Sequence, residues 1–296
     1  MSSIRPHSRA MQLFLALGLN RIAWALRRLH CPVDKAALVL EVGSGGNPYA
    51  RANVLLDAYE ETRERHWAPL VSDRPTVLGF VENLPFKDKA FDFVIAAHVL
   101  EHSADPAVFL AELQRVAKAG YIEVPDAFME RVNPYRDHRL EIACTDGQLV
   151  ITKKTRWDAD PGLVALYEAR AKTLIAGSLI PKNPFDFHVR YYWNENIAFS
   201  IVNPEADATW LPSEVTHRHA SSAQPTGRER LVGFLRRVFS QRHRNRHLNI
   251  SSLLRCPTCF GHELLKEGNH MKCRSCSAMY SVKGEIPVLN SHKEEK

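Results

Sequence analysis

Short apolar runs alternate with polar, glycine- and proline-marked breaks between about residues 38 and 126. Segments 38–42, 53–56, 76–80, 91–96 and 120–124 read as buried strands, being short, rich in Val, Ile, Leu and Phe, and bounded by turn residues. Between the last two, Phe109, Leu110, Leu113 and Val116 fall on one helical face. Asp105-Pro106 supplies an N-cap followed by proline at the first helical position, which predicts a helix over 106–117. Strands alternating with helices imply an α/β fold whose mostly parallel sheet is covered on both faces. Residues 127–205 change character. Alternating runs at 140–145 and 148–152 flank Asp146-Gly147, a hairpin signal. A further strand pair is expected over 188–192 and 197–202, and a helical segment over 161–176. Near the N-terminus, Leu15, Leu19, Ile22, Leu26 and Leu29 recur at helical spacing, so residues 1–35 are expected to form an amphipathic helix packed on the rest. The apolar stretch 11–19 superficially suggests a signal peptide, but Arg21, Arg27 and Arg28 return at once and no small-residue cleavage site follows.

Beyond Asn203 the chain is irregular and polar through Gln224-Pro225-Thr226-Gly227, a linker pattern. An apolar stripe then follows at Leu231, Phe234, Leu235, Val238 and Phe239, among Arg228, Arg230, Arg236, Arg237, Arg242, Arg244 and Arg246. Three partners suit a basic amphipathic helix over 228–247: its own domain, an anionic membrane surface, or RNA. No obligate protein partner is implied. The chain reads as an N-terminal helix (1–35), an α/β domain (36–205) with an insertion at 127–187, a linker and basic helix (206–250), and a small module at 251–290. At 296 residues, with 45% hydrophobic residues and 39 basic against 33 acidic side chains, the composition is that of a soluble globular protein; the charge of +6 demands no polyanionic partner. Six cysteines do not resemble a secreted disulfide scaffold, and a reducing, cytoplasmic setting, peripheral to a membrane if the basic helix binds lipid, fits them best.

The candidate chemistry begins at Val39-Leu40-Glu41-Val42-Gly43-Ser44-Gly45-Gly46, a strand ending in a glycine turn that a nucleotide-like ligand can approach closely. The next strand ends in Asp57, where a Rossmann-like site holds ribose hydroxyls. With Glu82-Asn83-Leu84-Pro85-Phe86 and His98-Val99-Leu100-Glu101-His102 following in order, the chain resembles the class I S-adenosylmethionine-dependent methyltransferases of the type 11 group over residues 36–126. The resemblance implies a Rossmann-like fold with a seven-stranded sheet. It also implies cofactor contacts from Glu41 (at the methionine end), Gly43, Ser44, Gly45, Asp57, Glu82, Asn83 and His98. Two departures stand out. Phe80 occupies the place of the aspartate that binds the adenine amino group in that family, so either a backbone group or Glu82 and Asn83 take over the contact or cofactor affinity is weakened. Only ten residues separate Gly46 from Asp57, too few for a full crossover helix, and Asn47-Pro48 argues the same way, so a shortened helix or a loop is expected.

Cys256-Pro257-Thr258-Cys259 and Cys273-Arg274-Ser275-Cys276 stand thirteen residues apart. Two such knuckles present four thiolates in tetrahedral geometry, which suits structural zinc and leaves no position for a catalytic water. Cys31 and Cys144 remain as free thiols. The stretch from Leu253 to Leu289 resembles the small zinc-ribbon proteins that activate RNA and protein methyltransferases as separate subunits, with Ser281 and Glu285 departing from their pattern. That resemblance implies a cover for an apolar surface of the catalytic domain.

Methyl transfer requires alignment of an acceptor with a sulfonium methyl and, for a hydroxyl, removal of a proton. Asp126, Tyr135, Arg136, His138 and Arg139 follow the fifth strand and are the candidates for acceptor contact; His138 is the first choice as base, with Asp126 beside it, although the same residues can serve only to pin the insertion. The N-P-P-Y-type motif of many amino-methylating nucleic-acid enzymes is missing after the fourth strand. His98 and His102 have a spacing compatible with a metal but no further ligand nearby in sequence. The expected activity is methylation, at oxygen, of a small-molecule or glycan- or lipid-linked acceptor. An RNA or protein methyltransferase, and a non-catalytic scaffold that kept the fold, are the alternatives.

Overall fold

The computed structural model describes residues 4–65, 67–210 and 227–290. Strands β1 (Val39–Val42), β2 (Val54–Asp57) and β3 (Thr76–Leu78) are buried along their whole length, as strands covered on both faces must be. After them come β4 (Phe91–Ala97) and β5 (Ala117–Pro125), then β6 (Leu140–Thr145), β7 (Gln148–Lys153), β8 (His188–Asn194) and β9 (Phe199–Ile201). The main sheet has the order β3-β2-β1-β4-β5-β8. Its β1–β2 and β2–β3 pairs are parallel. The connection from β1 to β2 is a loop with no helix, as the short spacing and Asn47-Pro48 require.

Two expectations about strands are corrected. The main sheet has six strands among the described residues rather than seven, and segments 188–192 and 197–202 do not pair with each other. β8 joins the main sheet, whereas β9 pairs in parallel with β7, setting Phe199 beside Leu149 and Ile201 beside Ile151. Between them Glu195 adopts a left-handed backbone (φ 65°), and only an Asn194–Asn196 bridge remains of the expected pair. The β6–β7 hairpin forms as read, with Asp146 and Gly147 both at positive φ (51° and 75°) in the turn. Its inward row, Leu140, Ile142, Leu149 and Ile151, is buried.

The N-terminal segment differs as well. Instead of one helix there are two, α1 (Arg9–Ala16) and α2 (Asn20–Leu26), separated at Gly18, whose φ of 70° ends the first. The break leaves part of the anticipated inner face outward: Leu19 and Ile22 are each 43% exposed, Leu15, Leu26 and Leu29 are half-buried, and Met11 and Ala23 are buried. Helix α3 (Pro106–Val116) occupies the predicted place, and α4 (Ala127–Val132) opens the insertion. The helical segment from Pro161 is capped by Asp160, which accepts from the Gly162 and Leu163 amides.

The chain forms two compact units whose sequence segments interleave. The first comprises residues 1–32, 96–107 and 121–216; the second comprises 33–95, 108–120 and 217–296. Strands β4 and β5 contribute residues to both. Within the second unit, β10 (Leu264–Glu267), β11 (His270–Cys273), β12 (Met279–Lys283) and β13 (Ile286–Pro287) form an antiparallel sheet that carries the cysteines. This sheet's trailing segment covers the edge of β3: Leu289 N–H donates to Leu78 O at 2.7 Å, and Val288 bridges Leu78 in parallel. Residues 253–255 pair with 85–87 through Lys87 N–H to Leu253 O (2.9 Å) and Arg255 N–H to Pro85 O (3.0 Å).

The basic segment divides into two helices. Over Gly227–Phe239 the apolar residues Leu231, Phe234, Val238 and Phe239 stand exposed. The short helix Arg242–Arg246 docks on its own unit: Asn53 Nδ2 donates to Asn245 Oδ1 (2.7 Å), and Arg244 donates to the carbonyls of Lys35, Ala36 and Ala37. The expected linker at 211–226 and the side chains of Arg228, Arg230, Arg236 and Arg237 lie outside the described residues. Among the described residues no helix is long and apolar enough to cross a membrane.

Candidate active site and four-cysteine centre

The glycine turn leaves β1 with Gly43 and Gly45 in the left-handed region (φ 63° and 56°), a conformation that a side chain would strain. Ser44, between them, donates its N–H to Leu56 O, while its hydroxyl is buried without a hydrogen-bond partner. An orphaned hydroxyl of this kind suits a polar ligand rather than a sealed core. Glu41 is buried on β1 and accepts from the Tyr49 amide (2.7 Å), so its carboxylate is fixed beneath the turn. Asp57 ends β2 with one oxygen, Oδ2, accepting from Gly45 N–H at 2.9 Å. Its other oxygen accepts from Arg65 Nη1 at 2.8 Å. Arg65 also lies against the turn itself, since a Cβ on Gly45 would come within 3.2 Å of its Cδ. No periodicity in the sequence marks Arg65, and its place was not anticipated.

These residues fit a nucleoside bearing vicinal hydroxyls and a charged amino-acid end: a glycine cradle, an unpartnered hydroxyl and two buried carboxylates, with Arg65 on the carboxylate such hydroxyls would use. Glu82 is half-buried on the turn Val81–Asn83. The Asn83 side chain, expected at the adenine, donates to Pro257 O of the cysteine module at 3.0 Å. Phe80 packs edge-on against Tyr59, with ring centroids 5.7 Å apart.

In the other unit, β4 ends at His98, a non-glycine residue at φ 59°, and strain of this kind gathers at functional positions. Its Nε2 lies 3.3 Å from Glu123 and its Nδ1 lies 3.5 Å from Glu101. Burial opposes a charge on His98, but the pairing with Glu101 and Glu123 prevails and raises its pKa to about 9. Burial would raise Glu123, yet His98 and Arg27 hold it well below the usual carboxylate range. Arg27 binds Glu123 through two nitrogens (2.8 and 2.9 Å) and stacks on Trp24. His98 is therefore an imidazolium locked between carboxylates at neutral pH. Glu123 was not singled out from the sequence; a lone glutamate inside the apolar run 120–124 is the signal that could have marked it.

The two candidates for acceptor chemistry separate. Asp126, expected beside the base, is the N-cap of α4, accepting from Phe128 N–H at 2.8 Å. His138 is half-buried, its Nδ1 2.7 Å from the buried Glu130 carboxylate, with Tyr135 and His102 rings against it. A cavity of about 400 Å³ in the same unit is lined by His7, Leu15, Asn20, Phe185, His188 and Arg190 among others. His188 connects it to His98, their rings 5.6 Å apart.

The four cysteine sulfurs lie within 4.8 Å of one another, with Cys256–Cys276 at 3.7 Å and Cys259–Cys273 at 3.5 Å. Sulfurs at the corners of a zinc tetrahedron stand about 3.8 Å apart. Cys256 and Cys273 are buried, and Tyr280 Oη approaches Cys256 Sγ at 3.0 Å. Gly261 must stay small, because a Cβ there would meet Ser275 Oγ at 2.6 Å. The donor set and geometry suit a structural zinc ion held by protein sulfur alone.

The Methyltransferase domain family model matches residues 40–122. No curated protein matches the chain. Among solved structures, a methyltransferase from Thermotoga maritima is 20% identical over 40% of this chain, with a TM-score of 0.29, and the chain spans 57% of that protein's length. A complex between the Haloferax volcanii Trm112 methyltransferase activator and a methyltransferase is 20% identical, covering 48% of this chain and 78% of the other at a TM-score of 0.28. A methyltransferase from Aquifex aeolicus is 22% identical, covering 35% and 63% at a TM-score of 0.27. The family match begins inside β1, takes in the glycine turn and Asp57, and closes within β5. The chain thus carries a class I S-adenosylmethionine-dependent methyltransferase domain, joined to a four-cysteine module consistent with a zinc ribbon.

Proposed function

We propose that this methyltransferase acts on a hydroxyl of a small-molecule or glycan- or lipid-linked acceptor. The observation that carries the reading is the 400 Å³ cavity beside His98, whose walls mix hydrogen-bonding side chains (Asn20, Asn183, Asp186, Arg190) with Leu15 and Phe185. A polyhydroxylated or amphiphilic molecule uses such a wall; a folded macromolecule does not enter it. When bound, S-adenosylmethionine supplies an electrophilic methyl group. Glu41, Ser44, Asp57 and the two turn glycines are the residues that would hold it, and Asp57 must exchange Arg65 for the ribose hydroxyls. Near neutral pH the imidazolium of His98 holds Glu101 and Glu123 in place and is not free to take a proton; His138, backed by Glu130, keeps the role of base candidate.

The test is methyl incorporation from labelled cofactor into cell extract fractionated into RNA, protein, lipid, glycan and small molecules. Label in the last three fractions is the expected result. Label confined to RNA or protein favours the second reading, and no cofactor binding at millimolar concentration leaves a scaffold that kept the fold.

A peripheral contact with an anionic membrane through the Gly227–Phe239 part of the basic segment 228–247 belongs to the same proposal. It is supported by the exposed Leu231, Phe234, Val238 and Phe239 on a helix whose sequence is rich in arginine. Vesicles containing anionic lipid should retain the chain, neutral vesicles should not, and Phe234→Glu should abolish retention. Retention by RNA at low salt in place of vesicles would overturn the lipid assignment.

A further inference from the structure

We infer that Glu101, His102 and His138 form a second metal site, for a first-row divalent transition ion, distinct from the four cysteines. All three ligand atoms lie within 4.8 Å of one another. Glu101 and His102 sit on the turn Leu100–His102 that follows β4, and His138 lies on the loop entering β6. The two segments are tied together by the main chain, Arg139 N–H donating to Glu101 O at 2.7 Å, so the arrangement is held by the fold and not by the side chains alone.

The protonation pattern favours a cation. Nδ1 of His102 faces the Asp137 carbonyl at 3.0 Å, and a carbonyl can only accept, so Nδ1 carries the hydrogen and the lone pair of the neutral ring resides on Nε2. Nδ1 of His138 faces a Glu130 carboxylate oxygen at 2.7 Å, which fixes its ring in the same tautomer. Glu130 is in turn steadied by Lys154 Nζ (2.6 Å) and the Tyr135 amide (3.0 Å). Metal-binding histidines are oriented by carbonyl and carboxylate partners of this sort on their remote nitrogens. The third donor is Glu101, only 2% exposed, with neither carboxylate oxygen accepting a hydrogen bond. Its nearest cationic neighbour, His98 Nδ1, stands at 3.5 Å from Oε1 only. Glu101 shares the His98 imidazolium with Glu123 and has no hydrogen bond of its own, so a cation between its carboxylate and the two imidazoles would complete its neutralisation.

Two imidazoles and one carboxylate suit zinc, cobalt, iron or manganese and leave positions open for water or an oxygen ligand, unlike the closed sulfur site. A bound metal takes up the Nε2 lone pair that His138 would otherwise use as a base, so in the loaded protein His138 is a ligand and not the base; the inference does not depend on which acceptor is methylated.

The full-length protein, with its cysteine site loaded with zinc, is to be titrated with cobalt(II). One further equivalent should bind, giving weak visible bands of nitrogen and oxygen ligation without thiolate charge transfer. His102→Ala and His138→Gln should each weaken uptake at least tenfold. Glu130→Gln, which touches no metal, should weaken it by about tenfold through His138. Each variant is compared at unchanged thermal melting, and any that melts early is replaced by its partner substitution, His102→Gln or His138→Ala. A folded wild-type chain that takes up no further cobalt at millimolar concentration overturns the site. So does uptake that both histidine substitutions leave unaltered.

Discussion

Asp57 and Arg65 show how one ion pair can set the affinity of a cofactor site. The pair is well shielded, and a charge-assisted bond there competes directly with ribose hydroxyls. Replacing Arg65 with Ala should therefore tighten S-adenosylmethionine binding by roughly tenfold, whereas Asp57→Ala should weaken it at least as much; isothermal calorimetry reads both. Arg27 illustrates the opposite situation, a buried charge whose loss strands its partner. Its removal leaves Glu123, whose side chain is wholly buried, with His98 as its remaining cationic partner among those that pair with it here. Arg27→Met should cost about 3 kcal/mol of stability, measured by denaturant unfolding. Arg65 and Arg27 were each an ordinary surface arginine in the sequence, because side-chain partnerships set by the folded chain, whether eight residues apart or 96, leave no local pattern.

At the level of elements, the cysteine module acts as a fourth wall for β3. Leu289 and Val288 engage Leu78, and Leu254 engages Phe86, so the ribbon satisfies backbone groups that an open edge would present to other chains. Zinc removal by a chelator should release four titratable thiols and, in the same step, accelerate amide exchange at the Leu289 N–H that is bound to Leu78. Exchange that stays slow after metal loss would show that the ribbon's contacts stand without its ion. The hairpin β6–β7 and helix α3 formed where patterning placed them, since alternation and capping are local signals. The pairing of β8 and β9 did not, because a strand's partner depends on which apolar row it must cover, and that row comes from elsewhere in the chain.

For the molecule as a whole, the interleaved units mean that the C-terminal quarter of the chain is part of the scaffold carrying the glycine turn. Truncation before residue 227 should leave a chain that fails to stay soluble, because Leu78, Phe86 and Asn53 lose the partners that bury or bond them. Solubility and thermal melting of the truncated chain against the intact one decide this. A truncated chain that melts at the same temperature would make the ribbon an appendage.

The sequence alone determined the alternation of strands and helices, the loop in place of the first crossover helix, the glycine turn with Asp57, and the four-cysteine centre. All of these depend on short-range spacing, backbone restriction at glycine and proline, or ligand chemistry fixed by residue type. Tertiary structure decided the rest. It broke the N-terminal helix in two at Gly18, made Asp126 a helix cap, took Asn83 for the ribbon, locked His98 between Glu101 and Glu123, and brought His138 to Glu101 and His102. The physical reason is common to them. A side chain's charge state and partner follow from what the fold buries beside it, and those neighbours are set by packing between segments distant in the chain.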